Sequence, residues 1–155
     1  YLCAKIISRK YKTILKRMIN FFTETEFTIN EDELNSWLLS VIASEGKNLG
    51  EINYIFCDDA SLLSINQQYL NHDTYTDIIS FDTSEGNNLS GDIYISVERI
   101  QENAQQFNVS VDDELKRVLA HGILHFCGYK DKTDDEAKLM REKEDEKLKM
   151  FHVEQ

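Results

Sequence analysis

Leu34, Trp37, Leu38, Val41 and Ile42 recur at i, i+3, i+4, i+7 and i+8, the stripe of a helix with one buried face. Asn30 stands where a cap belongs, Glu33 three residues on completes a capping box, and Gly46 is the expected stop. Trp37 therefore reads as core rather than as a binding aromatic. Residues 52–57 (INYIFC) are bulky on both faces, the mark of a central strand. Residues 19–23, 76–81 and 91–96 read as the other strands. The turn cluster at 84–88 makes the last two a hairpin. Asp58 or Asp59 caps a helix carrying Leu62, Leu63, Ile65 and Tyr69, followed by a polar loop at 71–75. Val97, Ile100, Ala104 and Phe107 form a further helical stripe. Ser110 with Asp113 opens a helix buried through Leu115, Val118, Leu119 and Phe126. Thr133 with Glu136 caps a last helix, charged nearly all round, whose thin seam is Ala137, Met140, Leu148 and Phe151. Glu144 lies within that seam and reads as a solvated charge, with support of a neighbouring site as its alternative. The pattern predicts a single α/β (α+β) domain, with a small mixed four-stranded sheet and about five helices.

Composition adds further constraints. The chain has 155 residues, long enough for a real core. No run of 18 apolar residues occurs, so no membrane span is expected. Cys3, Cys57 and Cys127 are odd in number and scattered, which suits reduced thiols and a cytoplasmic setting. Net charge is −11, unevenly spread: residues 1–17 hold six basic residues and no acid. Residues 18–155 are left with 11 basic against 28 acidic residues, a net −17. Such a body excludes a general nucleic-acid binder, because phosphate contacts require cations. Any such contact would rest on local charge, from a metal and from Arg99, Arg117, Lys130 and Lys132. Residues 1–17 read as a basic extension that adds little to function, ahead of a main domain at 18–155.

The chemistry lies in His121-Gly122-Ile123-Leu124-His125-Phe126-Cys127-Gly128-Tyr129-Lys130-Asp131. Histidines four apart lie one turn from each other on one helix face and can share an ion. Gly128 ends the helix, since glycine enters the left-handed region cheaply. Past that stop the chain can fold back and bring Asp131 as a third ligand. Three protein ligands leave a position open for water, the catalytic rather than the structural arrangement. The spacing also follows H-E-x-x-H-x-x-G-x-x-H, but the glutamate serving as general base in those peptidases is Gly122 here. Cys127 lies beside the histidines without a clear claim to be a ligand.

The stretch resembles the signature of the YbeY family, H-G-x-L-H-x-x-G-Y-D-H. His121, Gly122, Leu124, His125, Gly128 and Tyr129 match, and Asp131 stands at the third histidine. Thr76-Asp77-Ile78-Ile79-Ser80-Phe81 and Gly91-Asp92-Ile93 also fit the family's T-D/N-V-L-S-F and G-D-I, so the resemblance covers about residues 18–150. The family's Y-R-x-K-D is Tyr69-Leu70-Asn71-His72-Asp73 here. The arginine expected to hold phosphate is thus Leu70. His72 reads as a plain loop histidine, or as a substitute cation or ligand.

The resemblance implies a metal-dependent endoribonuclease acting on single-stranded RNA, in rRNA maturation and ribosome quality control. Its cofactor would be one divalent ion, Zn2+ first, on His121, His125 and Asp131. An N2O set is harder than an N3 set and admits manganese or iron more readily. The resemblance puts Thr76, Asp77 and Ser80 near the cleft. Asp77 and Ser80 are the candidate catalytic residues, with a strand-end hydrogen bond as the plainer reading of Asp77. Partners would be RNA and the ribosome, with no membrane. A non-catalytic ribosome-associated zinc protein and a metallopeptidase with another base are the alternatives. Tyr129 and Lys130 are expected not to bear on metal binding.

Overall fold

A computed structural model describes residues 18–70 and 77–153. Residues 1–17, 71–76 and 154–155, and with them His72 and Thr76, lie outside the described residues. The elements run β1 (Met18–Thr23), α1 (Glu31–Ser44), β2 (Asn48–Cys57), α2 (Asp59–Leu70), β3 (Ile78–Asp82), β4 (Asn88–Ser96), α3 (Val97–Gln106), α4 (Val111–Phe126) and α5 (Asp134–Val153). The sheet order is β1-β2-β4-β3. β1 and β4 flank β2 in parallel, and β3 closes the edge antiparallel to β4. The mixed four-stranded sheet, the central β2 and the β3–β4 hairpin follow the pattern of the sequence.

Strand alternation sorts the two faces. Ile52, Tyr54 and Phe56 of β2 and Ile93 and Ile95 of β4 are completely buried, in one core with Trp37, Leu38 and Val41 of α1 and Leu119 and Ile123 of α4. Burying such side chains contributes about 1.5–3 kcal/mol each. α2 covers part of the other face, where Leu62 meets Cys57 and Ile79. Two polar anchors cross the main core. Tyr54 Oη donates to the Leu119 carbonyl at 2.9 Å, tying α4 to the central strand. Trp37 Nε1 donates to the Lys147 carbonyl at 2.8 Å, tying α1 to α5.

The caps resolve as expected, with one choice made. Asp58 Oδ1 accepts from Ser61 N at 2.7 Å and caps α2. Asp59 instead receives Ser96 Oγ and Arg99 Nε. Three expectations are corrected. Phe107 is exposed at the end of α3, because the helix stops one residue before it and the chain turns away. Ala137 is exposed rather than in the α5 seam. Glu144 is buried, and so is Lys147, which leaves 1% of its surface exposed.

Candidate metal centre

α4 starts at Ser110, whose Oγ accepts from Asp113 N at 3.0 Å, and ends in a glycine-terminated motif. Tyr129 N donates to Leu124 O at 3.1 Å and Gly128 N to His125 O at 3.0 Å, with Gly128 at φ 102°. This six-to-one and five-to-two pairing requires the left-handed residue that glycine supplies. It reverses the chain directly after the second histidine and carries Asp131 back over the helix end. Gly122 has a different reason to be glycine. A Cβ there would lie 2.8 Å from Ile93 Cδ1, so α4 lies on β4 at closest approach. No glutamate could serve as a base from that position.

His121, His125 and Asp131 come together as the sequence predicts. The two Nε2 atoms are 2.8 Å apart. Asp131 Oδ2 lies 3.2 Å from His121 Nε2 and 3.3 Å from His125 Nε2. An ion with bonds of about 2.0–2.1 Å has donor–donor edges of ~3.3–3.4 Å when tetrahedral and ~2.9 Å when octahedral. The observed edges of 2.8, 3.2 and 3.3 Å fall close to those values.

The far nitrogen of each ring decides the chemistry of the near one. His125 Nδ1 lies 3.0 Å from the Tyr129 carbonyl, which only accepts, so Nδ1 carries the hydrogen. His121 Nδ1 lies 3.0 Å from Glu144 Oε2, where an ionised carboxylate likewise only accepts. With each Nδ1 holding its hydrogen, a ring that carries no second proton turns a bare Nε2 lone pair toward the other ring and toward a carboxylate oxygen. Three acceptors facing one point repel unless a cation sits among them. Burial opposes a proton on His121, but the hydrogen bond and charge of Glu144, helped by Asp131 and Asp77, outweigh it and raise its pKa above the ordinary value.

Around the triad, Arg117 donates to Glu144 Oε1 at 3.1 Å and to Asp145 Oδ1 at 2.8 Å. Arg141 NH1 lies 3.6 Å from the same Glu144 oxygen. Glu114, two turns before His121 on α4, is buried, and its carboxyl is pushed up by that burial and then by Asp77. Of the cations counted on from the sequence, Arg99 is engaged by Asp59 and Glu102, and Arg117 by Glu144 and Asp145. Lys130 and Lys132 stay exposed beside Asp131.

Asp77 lies just ahead of β3. Its carbonyl accepts from Ser96 N at 3.0 Å, and its charge reaches His121. Ser80 pairs with Ile93 within the hairpin. Among the described residues no contact joins Ser80 to the triad. Tyr129 has a part the sequence did not suggest. Its carbonyl lies 3.0 Å from His125 Nδ1, and the Lys143 ammonium stands 5.4 Å from its ring centroid. Sequence reasoning also missed Glu144 as a partner, although a signal existed. Met140, Glu144, Lys147 and Phe151 follow one another at i, i+4, i+7 and i+11, so the two charges occupy buried positions of a helical stripe.

A four-stranded α/β sheet with two histidines and one carboxylate converging at a helix end defines a small α/β protein with a divalent-cation donor set. The family model described as endoribonuclease YbeY matches residues 8–152, beginning upstream of Met18. The chain belongs to the YbeY family. The curated endoribonuclease YbeY of Flavobacterium johnsoniae is 68% identical over 139 residues, covering 89% of this chain and 100% of the relative. That of Christiangramia forsetii is 61% identical over 141 residues, 90% of this chain and 99% of the relative. A Thermotoga maritima protein solved in solution superimposes with a TM-score of 0.66 at 28% identity, covering 88% of this chain and 91% of that one. No helix among the described residues is long and apolar enough to cross a membrane.

Proposed function

We propose that this protein is a metal-dependent endoribonuclease that cleaves single-stranded RNA in the cytoplasm, in rRNA maturation and ribosome quality control. Family membership supports RNA as the substrate and hydrolysis as the reaction. The observation that carries the metal dependence is the convergence of three acceptors, His121 Nε2, His125 Nε2 and Asp131 Oδ2, with each Nδ1 committed elsewhere.

One divalent ion, zinc first, would be held by those three residues. When bound it supplies a Lewis acid for a phosphoryl oxygen and lowers the pKa of a water to about 7. The protein's own groups do the rest. The Tyr129 carbonyl holds the His125 ring with Nε2 outward. Asp77, a carboxylate whose charge reaches His121, is the candidate proton acceptor, and Ser80 the second candidate in the cleft. Lys130 and Lys132 supply cations to the RNA backbone beside Asp131.

The test incubates purified protein with single-stranded RNA and with casein, each with and without chelator, beside metal content by mass spectrometry. RNA cleavage that chelator abolishes and zinc restores is the expected result. Zinc retained without cleavage of either substrate would instead support a ribosome-associated binding protein. Casein cleavage alone would point to a peptidase.

A further inference from the structure

Glu144 lies 23 residues beyond His121, on the last helix, with a side chain only 7% exposed. Burying a carboxylate is costly unless its oxygens are satisfied. Here the two oxygens divide the work. Oε1 receives Arg117 NH1 at 3.1 Å, with Arg141 NH1 at 3.6 Å, and Oε2 faces His121 Nδ1 at 3.0 Å. Arg117 is clamped in turn by Asp145, so the carboxylate has little freedom to turn. Its orientation sets which nitrogen of His121 bears the hydrogen.

We propose that Glu144 is the positioning residue of the metal centre, fixing His121 in the Nδ1–H tautomer and so leaving Nε2 bare. The proposal rests on the metal-binding reading above and adds α5 as part of the site. His125 needs no such residue, because a backbone carbonyl does the same for it. One histidine is thus held by its own helix end and the other by a neighbouring helix, so ligand geometry depends on how α5 packs on α4. Partners that orient ligating histidines typically change metal affinity by about 10–100-fold when lost.

Glu144→Gln is the informative change, since it keeps the volume and removes only the acceptor-only character. A glutamine amide has one oxygen and one NH2. With the oxygen taken by the Arg117 guanidinium, the NH2 faces His121 Nδ1, which must then accept. The hydrogen moves to Nε2, into the ligand triangle.

Two readouts test this. Ring-nitrogen NMR of the metal-free protein, carried up in pH until the His121 signals stop moving, reports the tautomer of the neutral ring. Competition with a chromophoric chelator reports zinc affinity. The parent should show Nδ1–H at His121. Glu144→Gln should show Nε2–H and bind zinc about 10–100-fold more weakly. A role only as an ion-pair partner of Arg117 would lower the melting temperature and leave the tautomer unchanged. The proposal is overturned by a parent His121 carrying its hydrogen on Nε2. It is equally overturned by a Gln variant with the parent tautomer and unchanged affinity. A parent that shows Nδ1–H, converts to Nε2–H in the variant and yet binds no zinc would uphold the positioning and remove the metal reading.

Discussion

Asp131→Ala takes away the one oxygen donor of the triad and tests the reading of the site most directly. Oδ2 stands 3.2 Å and 3.3 Å from the two imidazole nitrogens, so its loss leaves two ligands where three converged. Losing a partner that only orients a ligand costs about 10–100-fold in metal affinity. Losing a ligand should exceed 100-fold, or about 2.7 kcal/mol. The metal-free protein should hardly notice, because the Asp131 side chain is 39% exposed and exposed substitutions stay within about 0.5 kcal/mol. Zinc affinity by chelator competition, beside melting of the metal-free protein, separates the two effects. Asp131→His should bind zinc well, with three imidazoles restored, and shift preference away from harder ions. Asp131→Asn should do worse than histidine, since a neutral amide is a poorer ligand. Lys130→Ala, an exposed neighbour, is the control. An alanine variant that holds zinc as tightly as the parent would refute the assignment and make His72 the next donor to test.

Three further outcomes follow from other parts of the molecule. Burial works against ionised Glu45, but hydrogen bonds from Lys147, Tyr129 and Lys143 outweigh it and hold its pKa at about 2, below the ordinary 4.5. Its contribution to stability is therefore complete above about pH 4.5 and is lost as pH falls toward 2. Glu45→Ala removes one of the two carboxylates on the buried Lys147 ammonium, leaving Glu146 at 3.0 Å and Ser44 at 2.8 Å, and should cost about 1.5–3 kcal/mol in urea unfolding at neutral pH, with a difference under 1 kcal/mol contradicting the network. RNA binding should show a log–log salt slope shallower than about −3, because the −17 body has few cations to give and Arg99 and Arg117 are engaged. A slope near −8 would mean that the surface has been misjudged. Protein beginning at Met18 should keep the melting temperature of the full chain, and a drop of several degrees would show that residues 1–17 contribute to the fold.

Local physics made much of this protein legible in one dimension. The α1 stripe, the turn before β4 and the helix caps are all short-range and appeared where spacing put them, whereas β2 and β4 begin earlier and β3 later than the residue pattern placed them. The histidine pair is local too, since i and i+4 share a helix face whatever the surroundings. Asp131 came next, because Gly128 reverses the chain within six residues of His125. Beyond that distance the sequence is silent, because residues far apart meet only through packing. Glu144 looked like a solvated charge on a charged helix. Only the docking of α5 on α4 turned it inward to His121 and paired it with Arg117. Lys147 and Glu45, 102 residues apart, meet for the same reason. Gly122 looked like a lost catalytic glutamate, and the fold made it a packing requirement, with Ile93 occupying the space a side chain would need. Sequence determined which groups could bind a cation. Tertiary structure decided how His121 faces it, because the Nδ1 of that ring meets Glu144, a partner 23 residues away on another helix that chain order does not reveal.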